Sequence, residues 1–188
     1  FDIGSYLEYR LYPKEKVFVD GRPEAYPASF FQKTYIPIQQ DITVFKKLEQ
    51  KYKFNAIFFS HTDQTPWGIV FLQQIVNDKD WKLVYLDDYA IVLIRNNNKN
   101  KELIKKFAMD ESNMQISNTD PRDVNSLIRL ASFFNKAGWT TQELASYENI
   151  LSIKPNYCPA LYNLSIRLIQ QQSPIANIYV NRFNSKCK

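Results

Sequence analysis

Apolar residues change their spacing at an asparagine-rich run, Arg95-Asn96-Asn97-Asn98-Lys99-Asn100, and that change limits what the chain can become. Ahead of the run lie compact apolar stretches of strand type at residues 16–20, 54–60, 81–86 and 89–94. Between them, residues 4–12, 28–39, 41–53 and 66–77 carry helical spacing. Pro13 stops the first of these, Asp41 is placed to cap the third, and Pro66 sits in the first turn of the last. Residues 54–60 are apolar without a break, which suits a strand covered on both faces, as in a parallel sheet. Only Asp87-Asp88 separates the last two strands, which implies an antiparallel hairpin. Beyond the asparagine run, read as a linker, every segment is helical, beginning with residues 101–109 and a helix that Asp120-Pro121 opens and that runs to about Ala137. The expected fold is therefore α/β over residues 1–98, a small mixed sheet with flanking helices, followed by an all-helical segment over 99–188.

The helical segment repeats itself. At a spacing of about 34 residues Leu127 matches Leu161, Leu130 matches Leu164, Ala131 matches Ser165, Phe134 matches Leu168 and Leu144 matches Ile178. That is the tetratricopeptide period, and the stretch Tyr147-Glu-Asn-Ile-Leu-Ser-Ile-Lys-Pro155 looks like the end of such a repeat, with Gly138 breaking the hairpin. Glu143 stands where the pattern has Ala, so looser helix packing is expected there. A second unit begins at Cys158, turns near Gln172 and restarts with Ser173 as cap and Pro174 in the first turn. Ile175, Ile178, Tyr179 and Phe183 give its last helix an apolar face. About two repeats are present, fewer than the three that such stacks normally need, so the α/β domain is expected to take the place of a cap. Leu130, Phe134, Leu144, Tyr147, Leu161, Leu164 and Leu168 form the expected core.

Composition removes several functions. Four glycines leave no glycine-rich phosphate cradle, so neither a nucleotide loop nor a dinucleotide fingerprint is available. Residues 1–100 hold 13 Lys/Arg against 12 Asp/Glu, and residues 101–188 hold 11 against 7. Arg182, Lys186 and Lys188 supply most of that excess, and the other charges are interspersed, so no nucleic-acid partner is expected. Two cysteines, Cys158 and Cys187, are too few for a zinc site. They form one bridge in an oxidising compartment or remain two buried thiols. No metal and no cofactor are expected, and no apolar run approaches the roughly 20 residues of a membrane span. The opening Phe1-Asp2-Ile3-Gly4 lacks Met, as expected of a piece of a longer protein, which leaves room for membrane segments outside this sequence.

Ligands of open α/β sheets bind beyond the carboxyl ends of parallel strands. If the strands at 16–20 and 54–60 are parallel neighbours, Asp20, Arg22, Ser60, His61 and Asp63 converge on one edge. His61 is the sole histidine and so the only imidazole base available. The structural alternative is the stronger one: Asp20 caps its turn, Arg22 pairs with it, and Ser60 and Asp63 cap the helix after Pro66. No catalytic residue is assigned. On the helical repeat, Asn135, Gln142 and Asn163 are the polar side chains expected to face a protein or peptide. The sequon Asn163-Leu-Ser165 lies on a helix face, where it is expected to stay unmodified.

The stretch from Phe1-Asp-Ile-Gly-Ser-Tyr-Leu-Glu-Tyr-Arg-Leu-Tyr-Pro to Lys-Val-Phe-Val-Asp-Gly-Arg-Pro-Glu-Ala-Tyr26 resembles the soluble C-terminal domain of polytopic bacterial membrane proteins of the glycosyltransferase type. Phe1-Asp2-Ile3-Gly4 is also similar to the Trp-Trp-Asp-Tyr-Gly motif of oligosaccharyltransferase catalytic subunits. Both tryptophans are missing, so the acceptor-recognition role of that motif does not transfer. The resemblance implies a membrane-anchored parent with this portion on the extracytoplasmic side. It also implies that transfer chemistry, if the parent has any, sits in loops outside this chain. Two functions follow as expectations: a non-catalytic module that meets protein partners through its helical repeat, or an accessory domain that binds a glycan, acceptor or lipid-linked sugar at the Asp20/Arg22 edge.

Overall fold

The structure is a computed structural model that describes Phe1 and residues 3–187; Asp2 of the opening motif and Lys188 of the basic tail lie outside the described residues. The chain is mixed α/β and forms two compact units. One comprises Phe1–Val84 with Ala90–Ala108, and the other Tyr85–Tyr89 with Met109–Lys188.

In the first unit, α1 (Gly4–Leu11) ends before Pro13 as expected. Helices α2 (Ala28–Phe30) and α3 (Ile36–Gln40) are joined by a π-helical stretch, Phe31–Tyr35. Pro37 has no N–H for the ordinary helical bond, and a widened turn ahead of it accommodates that loss. Helix α4 (Ile42–Tyr52) starts at Asp41, whose carboxylate accepts from Thr43 N at 2.7 Å. Helix α5 (Pro66–Ile75) is capped by Thr65, which accepts from Gly68 N at 3.1 Å, while Asp63 holds Thr65 N. Ser60 and Asp63 were expected to supply that cap; the hydroxyl nearest the first turn does so instead.

Strands β1 (Ala56–Ser60), β2 (Trp81–Leu86) and β3 (Ala90–Arg95) form an antiparallel sheet in the order β1-β3-β2. Ala56 faces Ile94 and Ser60 faces Ala90 across the β1–β3 pair. Three sequence expectations fail here. The sheet is antiparallel, not mixed. Strand β1 lies at its edge, half covered, with Phe58 exposed; the best-buried strand is the central β3, where Ile91 and Leu93 are fully enclosed. Residues 16–20 form no strand and bend at Phe18; side chains rather than a neighbouring strand take up the backbone N–H groups of Asp20 and Gly21.

The asparagine run is not a slack linker. Asn100 is buried and donates to Asn55 Oδ1 at 3.0 Å and to the carbonyl of Arg95 at 2.7 Å, while Asn97 caps Asn100 N. Helix α6 (Lys101–Phe107) follows directly and belongs to the same unit.

The second unit is built on α7 (Val124–Ala137), α8 (Thr140–Ile153), α9 (Cys158–Gln170) and α10 (Ala176–Lys186), each packed on the next. Helix α7 begins three residues later than Asp120-Pro121 suggests. Asp120 closes a turn onto Arg122 N, and Asp123 is the cap, accepting from Asn125 N and Ser126 N. Gly138 ends α7 at φ 77°, a left-handed conformation that glycine adopts without strain. The last helix also starts late: Ala176 N bonds to the carbonyl of Ser173, so residues 173–175 form a turn in place of the expected cap. Leu127, Ala131, Tyr147, Ile150, Leu161, Leu164 and Leu168 share one core, and Leu144 packs against it. Leu130 and Phe134 are also buried, with Phe134 nearly parallel to Trp139. Tyr179 and Phe183 face the core, but Ile175 and Ile178 point to solvent. Ser165 of the sequon is buried and bonds back to the Leu161 carbonyl.

Glu143 overturns the expectation of loose packing. Its buried carboxylate accepts from Arg167 Nε at 2.7 Å and from Asn135 Nδ2 at 2.8 Å, which ties α7, α8 and α9 together. Burial, with Glu143 beside it, pushes the Tyr147 hydroxyl up to about 12. Cys158 and Cys187 form a disulfide, closing α9 and α10 into one loop. Glu143→Ala should cost about 3–5 kcal/mol in urea denaturation, because it leaves the Arg167 charge uncompensated. The double variant Glu143→Ala/Arg167→Met should cost less than the sum of the two single changes. Reducing the cystine, whose ends are 29 residues apart, should lower stability by about 3–4 kcal/mol, the loop-entropy cost of releasing it. A denaturation midpoint unmoved by reductant would count against that value.

Candidate functional site

Ser5, Glu8, Tyr9 and Tyr12 stand three, four and seven residues along from the first, a spacing that puts them on one side of α1 and its end. The helix is set against the 19–22 segment at Gly4. A Cβ there would lie 2.1 Å from the carbonyl oxygen of Val19, so no larger residue fits without moving the backbone. Across the contact, Gly21 N donates to Ser5 Oγ at 3.2 Å.

Asp20 organises the rest. Its backbone N–H donates to the Tyr26 hydroxyl at 3.1 Å. Its Oδ1 accepts from Arg22 N at 2.9 Å and Arg22 Nε at 3.1 Å, and its Oδ2 accepts from Arg22 Nη2. The same Nη2 reaches Glu8 Oε2 at 2.7 Å. Such a two-point grip fixes the guanidinium plane. Ser5, Glu8, Tyr9, Tyr12 and Arg22 then line an open cleft of about 490 Å³. The Arg22 hydrogen bonds hold the Asp20 carboxyl far below the usual carboxylate range against the opposing effect of burial. Asp20 in turn raises the Arg22 guanidinium, and burial raises the Tyr26 hydroxyl.

Of the residues expected at this edge, Asp20 and Arg22 do come together. Ser60 and His61 follow a different path: Ser60 Oγ pairs with Thr62 Oγ1 at 2.9 Å and His61 is buried just past β1. The parallel strand pair that was to join the two sets is not formed. Ser5, Glu8, Tyr9, Tyr12 and Tyr26 were not foreseen, although the helical spacing of the first four was present in the sequence. On the second unit, Asn135 is bonded to Glu143, Gln142 donates to the Glu111 carbonyl, and Asn163 donates to the Pro159 carbonyl at 2.9 Å. Each of these amides thus makes an internal hydrogen bond through its NH2 group. Among the described residues no three His, Cys, Asp or Glu side chains are grouped to hold a metal ion.

A depressed carboxyl stabilises the folded state above the unfolded value of about 3.9, and the gain is lost as pH falls below it toward the folded value. Asp20→Asn should therefore cost about 1–3 kcal/mol at pH 7, the price of hydrogen bonds to a charged group. It should also flatten the loss of stability between pH 4 and pH 2, read from denaturation midpoints across that range. Comparison with known proteins finds no matching family model, no matching curated protein and no matching solved structure, so the geometry of the cleft carries the functional reading.

Proposed function

We propose that this chain is a non-catalytic module on the extracytoplasmic side of a membrane-anchored protein, and that it binds a carbohydrate in the Arg22 cleft. The observation that carries this reading is the cleft itself. An arginine locked by a buried aspartate sits beside two tyrosines that are 84% and 74% exposed, Tyr9 and Tyr12. Exposed aromatic faces next to a small number of fixed polar groups are what orients a ligand in a binding site. The Cys158–Cys187 bridge supports an oxidising compartment, since disulfides persist outside the reducing cytosol. Among the described residues no helix is long and apolar enough to cross a membrane. Anchorage therefore belongs to the resemblance carried by residues 1–26.

A second reading places a protein or peptide partner on the helical unit as a tetratricopeptide-like pair. Four pairs at the repeat spacing are buried alike: Leu127 with Leu161, Leu130 with Leu164, Ala131 with Ser165, and Phe134 with Leu168. On α9, Tyr162, Ile166 and Ile169 form an exposed stripe along one helix face. This reading ranks second because the amides expected to recognise a peptide already spend their NH2 groups on internal hydrogen bonds.

Titration of the ¹⁵N-labelled chain with neutral disaccharides and with unstructured peptides separates the two. Carbohydrate binding should shift the amides of residues 5–12 and 20–23. Shifts produced only by peptides, and confined to residues 124–186, would replace the carbohydrate reading with the repeat reading.

A further inference from the structure

We infer that the cleft accepts the neutral face of a saccharide and turns away phosphorylated sugars, an inference that rests on the carbohydrate reading above. Charge supplies the first argument. Glu8 and Asp20 bring two negative charges against the single positive charge of Arg22. The guanidinium is thus already over-neutralised, and a phosphate entering the cleft would meet a net negative surface. An arginine that selects phosphate would need its fork open to the ligand; here Nε and Nη2 are spent on carboxylates.

Hydrogen-bonding capacity supplies the second. Among the described residues Arg22 Nη1 has no acceptor, and Glu8 Oε1 has no donor, while Ser5 Oγ accepts from Gly21 N and keeps its own hydrogen to donate. The free valences are therefore mixed, donors beside an acceptor. Hydroxyl groups both donate and accept, so a polyhydroxylated ring uses all of them. A quaternary ammonium would suit the tyrosine faces, but it would leave every donor unused and stand against Arg22.

Surface chemistry supplies the third. Neither Tyr9 nor Tyr12 stacks on another ring among the described residues, and both remain largely exposed on the cleft wall. The C–H face of a pyranose is apolar and weakly positive, which complements the negative face of an aromatic ring.

The test titrates the ¹⁵N-labelled chain with chitobiose, cellobiose, maltose, glucose 1-phosphate and tetramethylammonium. At least one neutral disaccharide should shift residues 5–12 and 21–23, with a Kd about tenfold or more below that of glucose 1-phosphate. Tyr9→Ala and Tyr12→Ala, at exposed positions where folding is readily checked, should each weaken that binding by about tenfold. Glu8→Gln should narrow the gap between neutral and phosphorylated sugar by removing one of the two negative charges. If glucose 1-phosphate binds these amides as tightly as the disaccharides, or tetramethylammonium binds more tightly than any sugar, the inference falls while the cleft stands as a ligand site. If no sugar of either charge shifts these amides, the carbohydrate reading falls with it.

Discussion

Taking a carboxylate out of water costs several kcal/mol unless charged donors meet it, and in this chain an arginine stands beside each of four buried carboxylates. Its buried acidic residues among those described are Asp20, Glu49, Asp88 and Glu143. Each is answered by one arginine: Arg22, Arg95, Arg129 and Arg167 in turn. A planar guanidinium satisfies two carboxylate directions at once, which a lysine cannot do. Glu49 and Arg95 join α4 to the end of β3. Asp88 accepts from Arg129 and from Ser126 Oγ, and Arg129 also lies over the Tyr89 ring at 4.3 Å. Burial works to raise the Asp88 carboxyl, but the Arg129 and Ser126 hydrogen bonds prevail and lower it. The side chains of Arg95, Arg129 and Arg167 are at most 34% exposed, whereas that of Arg22 is 54% exposed and lines the cleft, and that difference makes it the candidate site.

How much of this was legible follows from the range of each signal. Most signals that act within one or two turns were read correctly: Pro13 ending α1, Asp41 capping α4, Pro66 opening α5, Gly138 closing α7, and the hairpin of β2 and β3. The exceptions are Asp120-Pro121 and Ser173-Pro174, where a turn precedes the helix. Signals that depend on distant partners were not read. Residues 16–20 have strand composition, yet Gly4, Ser5 and Tyr26 approach their backbone from elsewhere in the chain and take the place of a sheet neighbour. The asparagines of 95–100 look like a polar linker by composition, but Asn55 lies across from them and turns the run into a bonded network. Glu143 looked like a packing defect because its partner, Arg167, is 24 residues away.

The candidate site shows the same division. Asp20 and Arg22 were found because they sit in one turn, Asp-Gly-Arg, whose local chemistry is plain. Ser60 and His61 were added through an assumed parallel pairing, and with the antiparallel sheet that link disappears. The missed half of the site lies on α1, where polar and aromatic residues follow helical spacing. An amphipathic pattern draws attention to its apolar face, and here the informative side is the other one, where two tyrosines are left in solvent.

The Asp20–Arg22 pair is suited to the proposed binding role rather than to proton transfer. A general acid or base works best with a pKa near the ambient pH. Asp20 is driven in the other direction by Arg22, and both of its oxygens are occupied. Arg22 is held still further from neutrality. A group so firmly fixed in one protonation state moves no proton, but it presents an unvarying pattern of donors and charge to whatever enters. In the proposed reading the rigidity of the Asp20–Arg22 grip aids recognition: little side-chain entropy would remain to be lost when a ligand arrives. Tyr9 and Tyr12 contribute in the same sense, since a large contact area held by only two side-chain torsions is ordered at low entropic cost.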